Sequence, residues 1–203
     1  MKRLAVLACA LPLLAGCVDV QLGGTDAVPT CDAGGRTSDP FSAGVVLMAQ
    51  SVPSASLLPC IGALPIGWSF ERLDASDRSA RFWLNSDREG RQAVRVAVNP
   101  DCDVHGATES ASEQPGTRRY ERVEPARSGY RGERYYVYSG GCITYHFELH
   151  GKTGAQPLTA VLDGLGFVTR DALRQMVHDY SDGRFELDPT APVHPAPSDS
   201  THG

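Results

Sequence analysis

The sequence predicts an α+β domain: an antiparallel sheet of five or six strands with C-terminal helices packed on one face. Between residues 66 and 149, several segments alternate apolar with polar side chains, which is typical of half-buried antiparallel strands. Between residues 158 and 180, apolar side chains recur at three- and four-residue intervals, which indicates amphipathic helices. Helices that follow such a run of strands pack against the sheet.

Three strands open the predicted sheet as a meander. Their connections, residues 74–77 and 86–90, are rich in Asp, Ser and Gly, the residues of turns. Further strands are predicted at 118–123, 135–138 and 143–149, and residues 100–116 are predicted to form a polar loop. The alternating apolar positions of the meander are Trp68 and Phe70, then Ala80, Phe82 and Leu84, then Val94, Val96 and Val98.

Helices are predicted on both sides of the strands. Residues 42–49 form a short apolar helix, and residues 51–65 are punctuated by proline and read as irregular. After residue 158, two helices follow, and Thr169 is placed to cap the second. Their apolar positions are Leu158, Val161, Leu162 and Leu165, then Leu173, Met176, Val177 and Tyr180.

The amino terminus has the layout of an export signal. Lys2 and Arg3 precede an apolar run from Leu4 to Ala15, which is shorter than the ~20 residues of a membrane-spanning helix. The run ends in Leu14-Ala15-Gly16-Cys17. This tetrapeptide resembles the lipobox of bacterial lipoproteins, and the resemblance implies cleavage before Cys17 and attachment of diacylglycerol to its sulfur.

The layout of the whole chain resembles exported lipoproteins of high-GC Gram-positive bacteria. The basic residues are 17 Arg and 2 Lys, a bias typical of high-GC genomes. We therefore divide the chain into a lipoprotein signal peptide (1–16), a flexible tether (17–40), one α+β domain (41–187) and a disordered tail (188–203). The resemblance implies a protein held by lipid on the extracytoplasmic face of the cell membrane, because acyl chains anchor firmly.

Four cysteines remain after Cys9 in the signal peptide and Cys17 at the anchor. An even number in an exported domain indicates two disulfides, for which three connectivities exist. The end of one predicted strand precedes Cys102, and another strand begins near Cys142; antiparallel neighbours would bring these ends together. We therefore favour Cys102–Cys142, which leaves Cys31–Cys60.

One strand face carries three groups that can bind a metal. In the predicted strand 143–149, Tyr145, Phe147 and Leu149 face one way, and His146, Glu148 and His150 face the other. Three ligands at every second position extend over about 13 Å of strand, too far for one ion. A site would need a ligand from a neighbouring strand, and the alternative is an ordinary solvated face.

Two arginines are predicted to face each other across the second hairpin. A five-residue turn sets Arg81 opposite Arg95 and Phe82 opposite Val94, and the shared apolar face brings Glu71 to the side of Arg81. Such a pair suggests an anion site, for example for a phosphate-rich wall polymer. The alternative is a surface ladder of Arg and Glu that contributes little stability.

These features favour a non-enzymatic binding or accessory module of the cell envelope, whose partner is an envelope protein or a wall polymer. The net charge of −5 disfavours nucleic acid, and no motif calls for a cofactor. The runner-up is an envelope hydrolase or metal-binding protein that uses His146, Glu148 and His150. A cleft that gathers His, Asp and Glu would favour the enzyme, and a flat aromatic or Arg-lined face would favour binding.

Overall fold

An antiparallel sheet of seven strands forms the centre of the protein. The computed structural model describes residues 25–31, 42–124, 129–151 and 155–192. Three helices and a two-stranded ribbon complete this part of the chain. In chain order the elements are α1 (Ala43–Ser51), β1 (Leu57–Ile61), β2 (Trp68–Ser76), β3 (Ser79–Ser86), β4 (Gly90–Asn99), β5 (Thr108–Ser110), β6 (Arg118–Glu124), β7 (Tyr130–Tyr138), β8 (Gly141–Leu149), α2 (Gln156–Leu162), β9 (Leu165–Thr169) and α3 (Arg170–Tyr180).

The α+β class and the antiparallel pairing are confirmed, but the predicted count of five or six strands is too low. The main sheet has the order β2-β3-β4-β8-β7-β6-β5, and β1 pairs with β9 in the separate ribbon. The short strand β5 lies within the segment predicted as a polar loop. Strand β1 was missed because it contains Pro59, which pairs with Phe167 of β9. A proline is tolerated in a ribbon because its missing N–H can point to an unpaired edge.

The β2–β3–β4 meander is confirmed, but the predicted register of its second hairpin is wrong by two residues. The turn itself pairs Ser86 with Gly90 as expected. A bulge then shifts the pairing, so that Arg81 lies opposite Ala97 and Arg95 lies opposite Trp83. A shift of two residues leaves each side chain on the predicted face of the sheet.

Both predicted disulfides are present. Asn99 of β4 pairs with Cys142 of β8, which brings the two strand ends together as expected and joins Cys102 to Cys142. Cys31 is joined to Cys60 of β1. The predicted cap is also observed, because Thr169 Oγ1 accepts a hydrogen bond from the Ala172 N–H at 3.1 Å.

The hydrophobic core lies on one side of the main sheet, which we call the covered face. Phe82, Val96, Tyr145 and Phe147 are buried there with residues of α1, β1, α2 and α3. The opposite side, the open face, carries mostly half-buried or exposed side chains, although Trp83, Tyr135 and Cys142 are buried there. The open face leaves these strands accessible to a ligand.

Parts of the segments predicted as tether and tail contact the domain. Thr25 exchanges two backbone hydrogen bonds with Leu73, of 2.8 and 3.0 Å. At the other end, the Ala191 N–H donates to the Pro53 carbonyl at 2.9 Å. Cys17 and the predicted signal peptide lie outside the described residues. No helix of the described ranges is long and apolar enough to cross a membrane.

Candidate functional site

A row of six side chains crosses the open face, one from each of six neighbouring strands. The pairing of consecutive strands places each of them directly beside the next. Three of them are arginines and one is a histidine; the other two are an acidic and an aromatic side chain. From β2 to β6 the row reads Arg72, Trp83, Arg95, His146, Glu133 and Arg122.

Beside this row lies a groove of about 370 Å³, which we call the arginine groove. The small side chains of Ala97 and Thr144, which are paired neighbours, leave a depression between larger groups. The loop 101–103 borders the depression and is fixed there by the Cys102–Cys142 disulfide. The lining residues are Ser79, Arg81, Arg95, Ala97, Asn99, Asp101, Cys102, Asp103, Arg122, Glu133, Tyr135 and Thr144.

Trp83 is only 7% exposed although it lies on the open face, because arginine side chains cover it. The Arg72 guanidinium carbon lies 3.9 Å from the ring centroid, and that of Arg81 lies 5.4 Å away. Both distances are in the range of cation–π contacts. Asp74 lies 3.6 Å from Arg72 Nε and 3.8 Å from Arg81 Nε, so both cations have a carboxylate within reach.

Arg122 is also engaged, at the far end of the groove. It donates to the Glu133 carboxylate, to the Tyr135 hydroxyl at 2.6 Å and to the His105 carbonyl at 2.7 Å. Burial acts to raise the pKa of Glu133, but the hydrogen bonds from Tyr135 and Arg122 outweigh it and hold that pKa below its usual value. Burial and the hydrogen bond to Glu133 raise the pKa of Tyr135. Arg122 therefore has an ionised partner.

Arg95 differs from its neighbours on the open face. Among the described residues, no hydrogen bond or ion pair reaches its guanidinium, although the side chain is half-buried between Trp83 and His146. His146 Nδ1 is buried without a hydrogen-bond partner and lies 3.6 Å from a Glu133 oxygen. Arg95 is therefore without a direct ion pair among the described residues, although Asp101 and Asp103 line the same groove.

The structure brings together only some of the predicted anion-site residues. Arg81 and Arg95 both line the arginine groove, on adjacent positions of the same face. Glu71 does not join them, because a bulge in β2 sets it apart. It instead accepts a hydrogen bond from Arg91 at 2.8 Å, and Asp74 takes the place beside Arg81 that was predicted for Glu71.

The predicted metal-binding side chains share the predicted strand but have different surroundings. His146 lies beside Glu133, whereas Glu148 lies 3.7 Å from Arg131. His150 follows the end of β8 and is exposed. In the part of the chain that the structure describes, no three His, Cys, Asp or Glu residues are grouped to hold a metal ion.

The sequence analysis missed Thr144, Tyr135 and Arg122 as groove residues. The alternation of apolar and polar residues within β6 and within β7 shows which face of its own strand Arg122 or Tyr135 occupies. It does not show which strands lie next to each other. Only the pairing of β8 with both β4 and β7 shows that Arg122 and Tyr135 share a groove with Arg95. The disulfide prediction contained part of that information, because it already required β4 and β8 to be neighbours.

No protein-family model matches the sequence, and no curated protein sequence matches it. Among solved structures, a protein from Bacteroides thetaiotaomicron VPI-5482, determined by crystallography at 1.50 Å, shows a distant likeness. The two chains are 13% identical over 60% of this chain and 48% of the other, with a TM-score of 0.32. The match spans about half of that chain, and at this TM-score the likeness carries no argument about fold or function.

Proposed function

We propose that the protein is a lipid-anchored, extracytoplasmic binding module whose arginine groove takes an anionic group of a wall polymer or an envelope protein. The observation that carries the proposal is the half-buried residue Arg95, to whose guanidinium no acidic group of the described chain is bound. A phosphate or carboxylate is the natural complement of such a fork of N–H donors. Arg81 lines the same groove, with the Asp74 carboxylate 3.8 Å from its Nε.

Binding rather than catalysis is supported by the state of the other ionisable groups. Glu133, Arg122 and Tyr135 are bound to one another in a closed network. A carboxylate held in this way is a poor general base, because its pKa is lowered and its oxygens already accept hydrogen bonds. The residues of the groove are therefore better suited to binding a charged group than to catalysing its reaction.

An affinity measurement tests the anion site. The probe is short-chain inorganic polyphosphate, titrated calorimetrically at low and at physiological salt. Hydrogen bonds to charged groups contribute about 1.5–3 kcal/mol, so Arg95→Gln should weaken binding by about 10- to 100-fold. Arg95→Lys keeps the charge, and its affinity should lie between those of the natural chain and of Arg95→Gln. Because Arg95 has no partner in the described chain, neither change should unfold the protein.

Arg88→Gln is the matched control, since it removes one positive charge from the exposed β3–β4 turn, outside the groove. We expect it to change the affinity by less than about twofold, as is usual for exposed charges. Equal losses in Arg95→Gln and Arg88→Gln would show that polyphosphate senses only the overall charge. Polyglutamate, titrated in parallel, distinguishes a carboxylate-bearing from a phosphate-bearing ligand.

The lipid anchor is supported by the tetrapeptide that ends in Cys17 and by the two disulfides, which form and persist in oxidising compartments. Its test is metabolic labelling of the full chain in a Gram-positive host with a clickable palmitate analogue. We expect label and membrane association in the natural chain, and loss of both in Cys17→Ala. Cys9→Ala, in the same apolar run, should keep both. Label that survives Cys17→Ala would contradict the anchor.

A further inference from the structure

A second cavity lies on the covered face of the sheet, on the other side from the arginine groove. It occupies about 390 Å³ between β7, β8, the α2–β9 segment and the loop before β6. This volume is within the range of pockets that bind small molecules. We call it the tyrosine cavity, and the lining residues that matter here are Glu113, Arg134, Tyr136, Tyr145, Asp163 and Phe167.

Three aromatic rings form one corner of the tyrosine cavity. The Tyr136 ring lies 5.0 Å from that of Phe167 and 5.6 Å from that of Tyr145, and Tyr145 lies 6.4 Å from Phe167. All three pairs have edge-to-face geometry, a favourable arrangement that keeps the rings in place. The three rings therefore hold one another in place, and Phe167 is the one that stays partly exposed at the cavity.

Two polar groups at the tyrosine cavity can bond to an occupant. Tyr145 is only 2% exposed, and no group of the described chain is hydrogen-bonded to its hydroxyl. Buried polar groups are nearly always hydrogen-bonded, and leaving one unpaired is costly. Arg134 donates to Glu121 at 3.3 Å; 19% of its side chain is exposed, and it lines the same cavity. A polar occupant would pair the Tyr145 hydroxyl and accept a hydrogen bond from the Arg134 guanidinium.

The charges around the cavity identify the kind of occupant. Glu113 accepts hydrogen bonds from Tyr136 and from Arg119, and Asp163 adds a second carboxylate at the rim. The two carboxylates would repel an anion, and Arg134 would repel a cation. A neutral polyhydroxylated ring avoids both penalties, because each hydroxyl both donates and accepts. It also presents C–H groups to the aromatic corner.

We propose that the tyrosine cavity binds a neutral sugar unit, with hydrogen bonds from its hydroxyls to Tyr145 and Arg134. The proposal concerns a different face from the arginine groove and stands without it. An envelope protein has saccharides within reach, but the assignment rests on the aromatic corner, the unpaired Tyr145 hydroxyl and the mixed charge.

The test is a titration with glucose, mannose and N-acetylglucosamine, followed in ¹H–¹⁵N spectra of the disulfide-bonded protein. At least one sugar should cause saturable shifts at the Leu165 and Gly166 amides, which line the cavity, and not at Ala97 in the arginine groove. Tyr145→Phe should weaken that binding about tenfold or more. Because it removes only an unpaired hydroxyl, the melting temperature should not fall.

Tyr120→Phe is the matched control, since it removes a tyrosine hydroxyl from the open face and should leave sugar binding unchanged. Glucuronate and glucosamine, the charged counterparts of glucose, should bind more weakly than the neutral sugar. The proposal is overturned if no neutral sugar shifts the cavity amides, if Tyr145→Phe binds as well as the natural chain, or if a charged counterpart binds more tightly.

Discussion

Arg170 is the most deeply buried cation of the described chain, with 1% of its surface exposed. Its guanidinium donates to the carbonyls of Ala49 and Val52 at the end of α1, at 2.5 and 2.8 Å, and to that of Ala55 at 2.9 Å. A fourth bond reaches the Asp188 carbonyl at 3.4 Å. The last carbonyls of a helix have no partner within it, and a cation there also meets the negative end of the helix dipole.

We expect Arg170→Met to lower the free energy of unfolding by about 4 kcal/mol. Each hydrogen bond to a charged group contributes about 1.5–3 kcal/mol. If the three shorter bonds were additive, they would contribute about 4.5–9 kcal/mol. Because they share one guanidinium and methionine relieves the cost of burying a charge, we expect a value near the lower end. Arg170→Lys keeps the charge but not the fork of donors, and should cost about half as much.

The assay is urea unfolding with the disulfides intact, followed by tryptophan fluorescence and circular dichroism. Arg174→Met on the same helix is the control. Arg174 is half-exposed and donates to one carbonyl, that of Leu187, at 2.9 Å, so its loss should cost about 1 kcal/mol. A loss below about 1 kcal/mol for Arg170→Met, or equal losses for Met and Lys, would refute the reasoning that the donor geometry stabilises this junction.

The remaining predictions concern stability. Replacing Cys102 and Cys142 by serine should lower the free energy of unfolding by about 4 kcal/mol on the chain-entropy model, measured with urea; an unchanged midpoint would contradict the bond. Gly132→Ala should cost about 1–3 kcal/mol, because its Cβ would clash with the Arg122 carbonyl oxygen and lie 2.9 Å from Phe147 Cζ; a neutral effect in thermal melting would contradict the packing of β7 against β6 and β8. The lowered pKa of Glu133 stabilises the folded state above the unfolded pKa, and this stability is lost as the pH falls through the folded pKa. Glu133→Gln should therefore flatten the acid side of the stability profile, and an unchanged profile would count against that role.

Features of the fold that depend on nearby residues were predictable from the sequence. Alternation assigned Phe82 and Val96 to the covered face, and the side chain of Thr169 indicated where α3 begins. The Cys102–Cys142 bond followed from the simple rule that antiparallel neighbours bring opposite ends together. In each case a few adjacent residues determine the outcome.

The register of the second hairpin could not be predicted in the same way. A bulge absorbs extra residues of β4, and nothing in the alternation of either strand marks its position. Gln92 has a positive φ of 54° there, and its N–H is bonded to the Asn85 side chain at 2.8 Å. The compensating contacts come from the folded hairpin, so the shift of Arg81 from Arg95 to Ala97 appears only in the structure.

The sequence predicted two arginines of the arginine groove but not which of them lacks an ion pair. Arg81 and Arg95 were identified from one hairpin, but the unpaired state of Arg95 depends on what β8 brings beside it. His146 occupies that position, and the nearest carboxylate on the next strand, Glu133, is taken by Arg122. Whether a cation is left without a counter-ion is a property of four strands together.

Direct observation of the Arg95 side chain is the sharpest test of the anion site. The Nε–Hε resonance of each arginine is assigned in the ¹⁵N-labelled protein, with Arg95→Gln to identify its signal, and polyphosphate is then added. We predict a saturable shift of the Arg95 signal, while the signal of Arg88 in the exposed turn stays in place. An Arg95 signal that does not move, or one that moves no more than that of Arg88, would contradict the proposed function.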